Sequence, residues 1–303
     1  MKRLLIVVPL SLVLITSVLA YVVSPPFRYA TWILFGRSKV CPMALAIRCR
    51  SNEETLMAAK DRILRASQLV SKDQELELWN TPRGRYWIPK GNRFVLPFNL
   101  AEMEAHIYGT GAHAVQPGDI VLDCGASDGD YTRQALDAGA QLVVSIEISP
   151  AAVECLRRNL AEPISQGRAI ICPKGVWDEE GSMTLNVSDT NFAANSLVLH
   201  PEGSHPGMQV ELTTIDAIVG ELGLPHVDVI KMDIEGAELM ALAGARKTIT
   251  RFKPRLSIAT EHLRDDEVTI PAAVRNIRPD YRMTCGPCSV SGSRIRPDVV
   301  YFD

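Results

Sequence analysis

DIVLDCGASDGDYTRQALDAGAQLVVSIEISP, residues 119–150, decides the fold. An apolar run at 120–122 ends on Asp123, where the chain turns small and polar: Cys124, Gly125, Ala126, Ser127, Asp128, Gly129. The pattern predicts a helix over 130–138, with Gly139 placed to stop it because glycine takes a left-handed conformation without steric penalty. Residues 142–146 then read as a second buried strand that closes on Glu147. Strand, turn, helix and strand make a βαβ unit. Such units bind ligands beyond the carboxyl ends of their strands, and an acid about twenty residues past the first glycine suits ribose hydroxyls.

The turn itself selects among ribose-bearing ligands. A dinucleotide fingerprint needs glycines at its first, third and sixth positions, so that a pyrophosphate can approach the backbone. Counted from Gly125, the later two positions hold Ser127 and Asp130. Asp128 and Asp130 add negative charge at the helix start, where a pyrophosphate would sit. A ligand with an ammonium and a sulfonium and no phosphate suits this turn better, which points to S-adenosylmethionine. The plain alternative is an ordinary βα turn with capping acids.

Downstream, Ser149-Pro150 opens a helix to about residue 160, and 168–172 reads as a third strand. A turn at 179–182 leads to a strand over 183–187, and residues 188–208 read as a long polar loop. Residues 210–222 suggest a short strand and then a helix capped near Thr213 or Thr214. In VDVIKMDIEGAELMALAGARKTI, residues 227–249, a buried strand ends in alternating Lys231, Asp233 and Glu235, which share one face of an extended segment. Three charges at the lip of a strand call for a use. The competing reading is that Asp233 and Glu235 cap the helix that follows. A further strand over 254–259 closes on Thr260-Glu261-His262, and the tail reads as two strands over 281–284 and 299–302.

Upstream, 84–97 suggests a hairpin turning at 89–92, and a helix follows at 100–108. Residues 52–78 have helical composition, and 24–50 read as a linker with an interfacial segment at 29–35. Residues 4–23 form a twenty-residue uncharged stretch behind Lys2 and Arg3, long enough to span a bilayer. A cleaved signal peptide is the rival. Arg28, Arg37, Lys39, Arg48 and Arg50 follow with no acid before Glu53, which favours an uncleaved anchor with a cytoplasmic carboxyl-terminal domain. Ser24-Pro25-Pro26-Phe27 reads as a helix stop.

The net charge is −3 and the pI about 6.1, with no basic block, so nucleic acid is excluded as an expected partner. The seven cysteines are scattered, which argues against a disulfide framework and for a reducing compartment. Cys285-Gly286-Pro287-Cys288 has redox-dithiol spacing, but no helix start follows to activate it.

Taken together, VLDCGASDGDYT, SIEISP, VWDEEGSMTLNV, TTIDAI, VDVIKMDIEGAELMALAGA and PRLSIATEH resemble the FkbM family of S-adenosylmethionine-dependent methyltransferases across roughly residues 85–303. Where many relatives carry Asn after Gly-Ala, this chain has Ser127-Asp128. The resemblance implies a class I methyltransferase (Rossmann-like) α/β fold. Its seven-stranded, mostly parallel sheet has the order 3-2-1-4-5-7-6, the last strand antiparallel, and helices on both faces. The expected organisation is an anchor at 1–24, a linker and helical arm at 25–83, and a methyltransferase domain at 84–303. By position, Asp123, Gly125, Ser127 and Asp128 would line the methionine end, Glu147 the ribose and Asp178 the adenine. Asp233 and Glu235 would sit where the methyl group is delivered. Asp233 is the first candidate base and His262 the second, with Lys231 steadying charge or pairing with a carboxylate; no metal is implied. The expected activity is O-methylation of a hydroxyl on a glycan, lipid-linked sugar or secondary metabolite. A nicotinamide-dependent oxidoreductase and a non-catalytic membrane-tethered binding module are the alternatives.

Overall fold

The computed structural model describes residues 10–36, 38, 40–188, 190–201, 203–292 and 294–303. Seven strands build the central sheet: β1 (Ile120–Cys124), β2 (Leu142–Ile146), β3 (Ala169–Cys172), β4 (Val229–Met232), β5 (Arg255–Ala259), β6 (Met283–Cys285) and β7 (Val299–Phe302). Their spatial order is β3-β2-β1-β4-β5-β7-β6, the order the resemblance implied. β1 to β5 run parallel to one another, and β7 runs antiparallel to both β5 and β6. The chain winds outward from β1 to β3 and then returns to β4 on the other side. That reversal opens a crevice at the carboxyl ends of β1 and β4.

Alternation along the strands makes two apolar layers. Ile120, Leu122 and Cys124 share one core with Ile230, Met232, Leu256, Ile258, Val300 and Phe302, under helices that include Ile215–Glu221 and Asp266–Ile277. Val121, Val143, Val229, Val299 and Tyr301 face the other way, onto α4 (Val95–Glu104) and α5 (Asp130–Asp137). Each such fully buried aliphatic side chain contributes about 1.5–3 kcal/mol. Three helix ends fall where the sequence put them, whereas the helix expected at 100–108 runs over Val95–Glu104. Gly139 follows α5 at φ +98°, Pro150 opens α6 (Pro150–Asn159), and the Thr214 hydroxyl accepts the Ala217 N–H at 3.0 Å.

The amino-terminal part departs from the sequence reading. The helical pattern at 52–78 belongs to α3 (Met43–Ala66) only as far as Ala66. Beyond it Gln68–Lys72, Leu76–Thr81 and Gly84–Pro89 form an antiparallel three-stranded sheet, so the strand with Tyr86 pairs upstream rather than across 89–92. Its supposed partner is the start of α4, whose Pro97 lies in the first turn, where a missing N–H does no harm. The loop at 188–208 is shorter than expected, because Gly181–Ser188 and Ser204–Thr213 pair as a long hairpin.

Residues 1–9 of the expected anchor lie outside the described residues. Within them, α1 (Leu10–Val23) and α2 (Pro25–Leu34) meet at Ser24. Among the described residues no single helix is long and apolar enough to cross a membrane; Val13–Val23 and Pro25–Leu34 pass that test as a pair bent by 109°. Against the expectation from scattered cysteines, Cys41 is disulfide-bonded to Cys288, 247 residues away. The two meet because the start of α3 packs on the hairpin Cys288–Ser291 and Arg294–Pro297.

Candidate active site

A cavity of about 490 Å³ lies beyond the carboxyl ends of β1, β2, β4 and β5. Gly125 and Ser127 from the turn after β1, and Glu147 after β2, form one part of its lining. Gly125 has φ +80°, and a Cβ there would come within 1.8 Å of the Asp233 carbonyl oxygen. Only glycine lets these two loops abut. Glu147 is tied down by two backbone donors, Ser127 N–H and Ser149 N–H, each at 2.8 Å. Burial pushes its carboxyl up, while those N–H groups oppose the shift.

The tips of β4 and β5 supply the rest. Lys231 is buried and donates to the Gly125 carbonyl at 2.7 Å, with its ammonium 3.3 Å from Asp123 Oδ1. Burial works against its charge, but Asp123, Asp233 and Asp130 outweigh it and keep the ammonium protonated. Asp233 accepts the Tyr108 hydroxyl on Oδ2, and its Oδ1 lies 3.2 Å from His262 Nε2. Burial alone would raise the Asp233 carboxyl; His262, Lys231 and Tyr108 hold it below the usual carboxylate range. On its other side, His262 Nδ1 meets Glu238 Oε1 at 2.9 Å. Burial disfavours the charged ring, yet Asp233 and Glu238 keep its pKa well above the ordinary histidine value. Glu235 Oε1 is 3.7 Å from the same Nε2.

Of the residues singled out in the sequence, Gly125, Ser127, Glu147, Lys231, Asp233, Glu235 and His262 therefore line one cavity. Three do not. Asp123 and Asp128 are fully buried behind the wall, and Asp178 is exposed in the turn after Trp177. Asp123 turns away because Thr132 (2.7 Å) and Lys231 hold it inside the sheet edge. Asp128 points inward with neither carboxylate oxygen hydrogen-bonded, and burial beside Asp130 raises its pKa well above the usual range. Burial at this position disfavours the charged form of the carboxyl. The capping alternative for Asp233 and Glu235 does not hold, because no side chain caps the helix Glu238–Ala243; Glu238 instead accepts the Ile234 N–H at 3.0 Å, ahead of that helix.

The sequence reading missed Tyr108, Glu102, Glu238 and the rim residues Phe94 and Phe98. Tyr108 lies 125 residues from Asp233, and no local pattern links them. Glu238 was legible only as a first-turn helix acid. Asp233, Glu238 and His262 each bring a ligand atom within 4.8 Å of the others, a spacing that could hold a metal ion. Both ring nitrogens of His262 already meet carboxylates on opposite sides, so an ion would have to replace one of those bonds.

Residues 123–281, a little over half of the chain, match the family model described as the methyltransferase FkbM domain. The chain is 27% identical over 154 residues to 2-O-methyltransferase NoeI of Sinorhizobium fredii, covering 46% of this chain and 62% of that protein. A ribosomal protein L11 methyltransferase of Burkholderia multivorans is 39% identical over 87 residues, 23% of this chain and 29% of that one. Less than two thirds of either relative is thus spanned. The crystal structure of an FkbM methyltransferase from Methylobacillus flagellatus aligns at 20% identity and TM-score 0.48, over 84% of this chain and 59% of that one.

Proposed function

The chain belongs to the FkbM family of methyltransferases, whose methyl donor is S-adenosylmethionine, and from that premise we propose that its cavity methylates a hydroxyl oxygen. The carrying observation is that Glu147, behind the glycine turn, and Asp233, at the β4 tip, face one cavity. The residues present fit the donor. Gly125 leaves the turn open where a side chain would collide, and the lining is acidic, with Glu102, Asp130, Glu147, Asp233, Glu235 and Glu261. Bound there, the donor supplies an electrophilic methyl group on a positively charged sulfur.

The protein's own part is to hold, orient and exclude water. Glu147 is in place for ribose hydroxyls, and its bonds to Ser127 and Ser149 keep it oriented. Lys231 locks the turn to the β4 tip through the Gly125 carbonyl. Tyr108 and His262 fix Asp233, so an acceptor bonded to it keeps one orientation, and such alignment supplies most of the acceleration in a displacement at carbon. Phe94 and Phe98 at the rim offer apolar surface to an acceptor such as a glycan, a lipid-linked sugar or a secondary metabolite. The name of the Sinorhizobium relative, a 2-O-methyltransferase, supports oxygen as the acceptor atom. Family membership sets the nicotinamide alternative aside.

The apolar, outward-facing side chains of α1 and α2, among them Leu14, Val18, Val22 and Phe27, support membrane attachment. Arg28 on α2, with Arg48 and Arg50 beyond it, supports a cytoplasmic catalytic domain. The test is transfer of labelled methyl from S-adenosylmethionine into cell-envelope extracts by the full chain. Wild type is expected to label an extractable acceptor, and Asp233→Asn to lose most of that labelling. No labelling by wild type rejects the proposal.

A further inference from the structure

We propose that Glu235 is the general base of the transfer, taking the proton of the acceptor hydroxyl beside a fixed Asp233–His262 ion pair. The inference rests on the methyl-transfer reading above and assigns one role within it.

Three acids lie on the short segment from Asp233 to Glu238, and two are already committed. Asp233 has one oxygen on Tyr108 and the other on His262. Glu238, only 1% exposed, accepts both Ile234 N–H and His262. Glu235 lines the cavity, and its contact with His262 Nε2, at 3.7 Å, is longer than a hydrogen bond. Its backbone is unusual as well. At φ +53° it occupies the left-handed region, which costs a non-glycine residue about 1–2 kcal/mol. The surroundings enforce this: the Ser196 hydroxyl donates to the Glu235 carbonyl at 2.7 Å, and Gly236 follows at φ +96°. Strain held in place at a cavity wall is what a positioned catalytic group requires.

Protonation states sort the candidates the same way. His262 meets a carboxylate at each ring nitrogen, so neither nitrogen is free to accept the acceptor's proton. Asp233, held below the usual carboxylate range by the Tyr108 and His262 donors and the Lys231 charge, is a weak base. Burial raises the Glu235 carboxyl to about 7, against the opposing charge of His262 and with help from Asp233, Glu238 and Glu261. Glu102 on α4 and Lys60 on α3 line the same cavity. A base near the working pH combines availability with driving force. In the step, the hydroxyl proton passes to a Glu235 oxygen as the acceptor oxygen's electron pair forms the bond to the methyl carbon. The carbon–sulfur pair stays on sulfur, leaving a neutral thioether, and the proton then leaves Glu235 for water.

The test compares wild type, Glu235→Gln and Asp233→Asn as full chains in labelled-methyl transfer to cell-envelope extract between pH 5.5 and 9. S-adenosylhomocysteine titration checks the fold and the donor site, and carboxylate ¹³C NMR follows titration without turnover. Wild-type transfer should rise through a pH near 7, and Glu235→Gln should bind S-adenosylhomocysteine within about twofold of wild type. That variant should transfer roughly 10²–10⁴-fold more slowly and lose both the rising limb and one carboxyl resonance titrating near pH 7. Transfer by Glu235→Gln within tenfold of wild type, or a limb that survives in it and vanishes in Asp233→Asn, overturns the assignment. A wild type that transfers no methyl at any pH sinks the methyl-transfer reading and this inference with it.

Discussion

Replacing Lys231 by methionine should remove one charge from a buried pair and strand the other. Lys231 is 4% exposed and Asp123 fully buried. Methionine keeps the apolar stem beneath Tyr108 and Tyr131, whose ring centroids lie 5.0 and 5.8 Å from the ammonium. What disappears is the 3.3 Å contact to Asp123 and the 2.7 Å hydrogen bond to the Gly125 carbonyl. Breaking a buried pair from one side costs about 3–5 kcal/mol, a large part of the roughly 5–15 kcal/mol that stabilises a domain. Asp123 can relieve its isolation by taking up a proton. Its carboxyl is already raised by burial, with Lys231 as the first opposing influence, and without Lys231 it rises further. The folded variant then binds a proton that the unfolded chain releases, so the penalty should shrink as pH falls. Urea denaturation at pH 7.5 and 5.5 reads this as a lower midpoint with an unchanged slope, the drop being larger at pH 7.5. Adding Asp123→Asn should recover part of the loss, with a coupling of about 0.5–3 kcal/mol. A Lys231→Met penalty under about 1 kcal/mol, or a double variant as unstable as the sum of the singles, would refute the reasoning.

Two other outcomes are expected. Tyr108→Phe leaves Asp233 Oδ2 without its donor; transfer should fall roughly tenfold, about the worth of one hydrogen bond to a charged group, while the urea midpoint moves little. Kinetics at saturating donor would check it, and an unchanged rate would remove Tyr108 from the site. With the domain in the cytoplasm, Cys41 and Cys288 are reduced in cells, and both should be alkylated when cells are quenched in acid and the chain is denatured with the reagent present, since both are buried in the fold. Mass spectrometry showing the pair protected from alkylation would contradict the cytoplasmic placement.

The sheet was legible because its strands carry short apolar runs that stop at charged residues. The runs ending at Asp123, Glu147, Asp233 and Glu261 are the strand tips around the cavity. Glycines and prolines marked the helix ends for local reasons, and those readings held at Gly139, Pro150 and Thr214. Side-chain direction was less legible. Asp123 and Asp128 sit in a recognisable turn, yet one is drawn to Lys231 and the other inward; neither choice leaves a trace in spacing. Long-range partners were invisible for the same reason. Tyr108 reaches Asp233, and Cys41 reaches Cys288, only because the fold brings distant segments together. The alternation at Leu76–Thr81 was obscured by the helix-forming residues around it, and sheet pairing overrode composition there.

Calorimetric titration of S-adenosylhomocysteine into the full chain, set beside the same titration of Gly125→Ala, tests the central claim most directly. One binding site is expected in wild type. The variant should bind at least about tenfold more weakly, since a Cβ placed 1.8 Å from the Asp233 carbonyl forces the turn and the β4 tip apart. No binding by wild type, or equal affinity in the two proteins, would contradict a donor site at this turn.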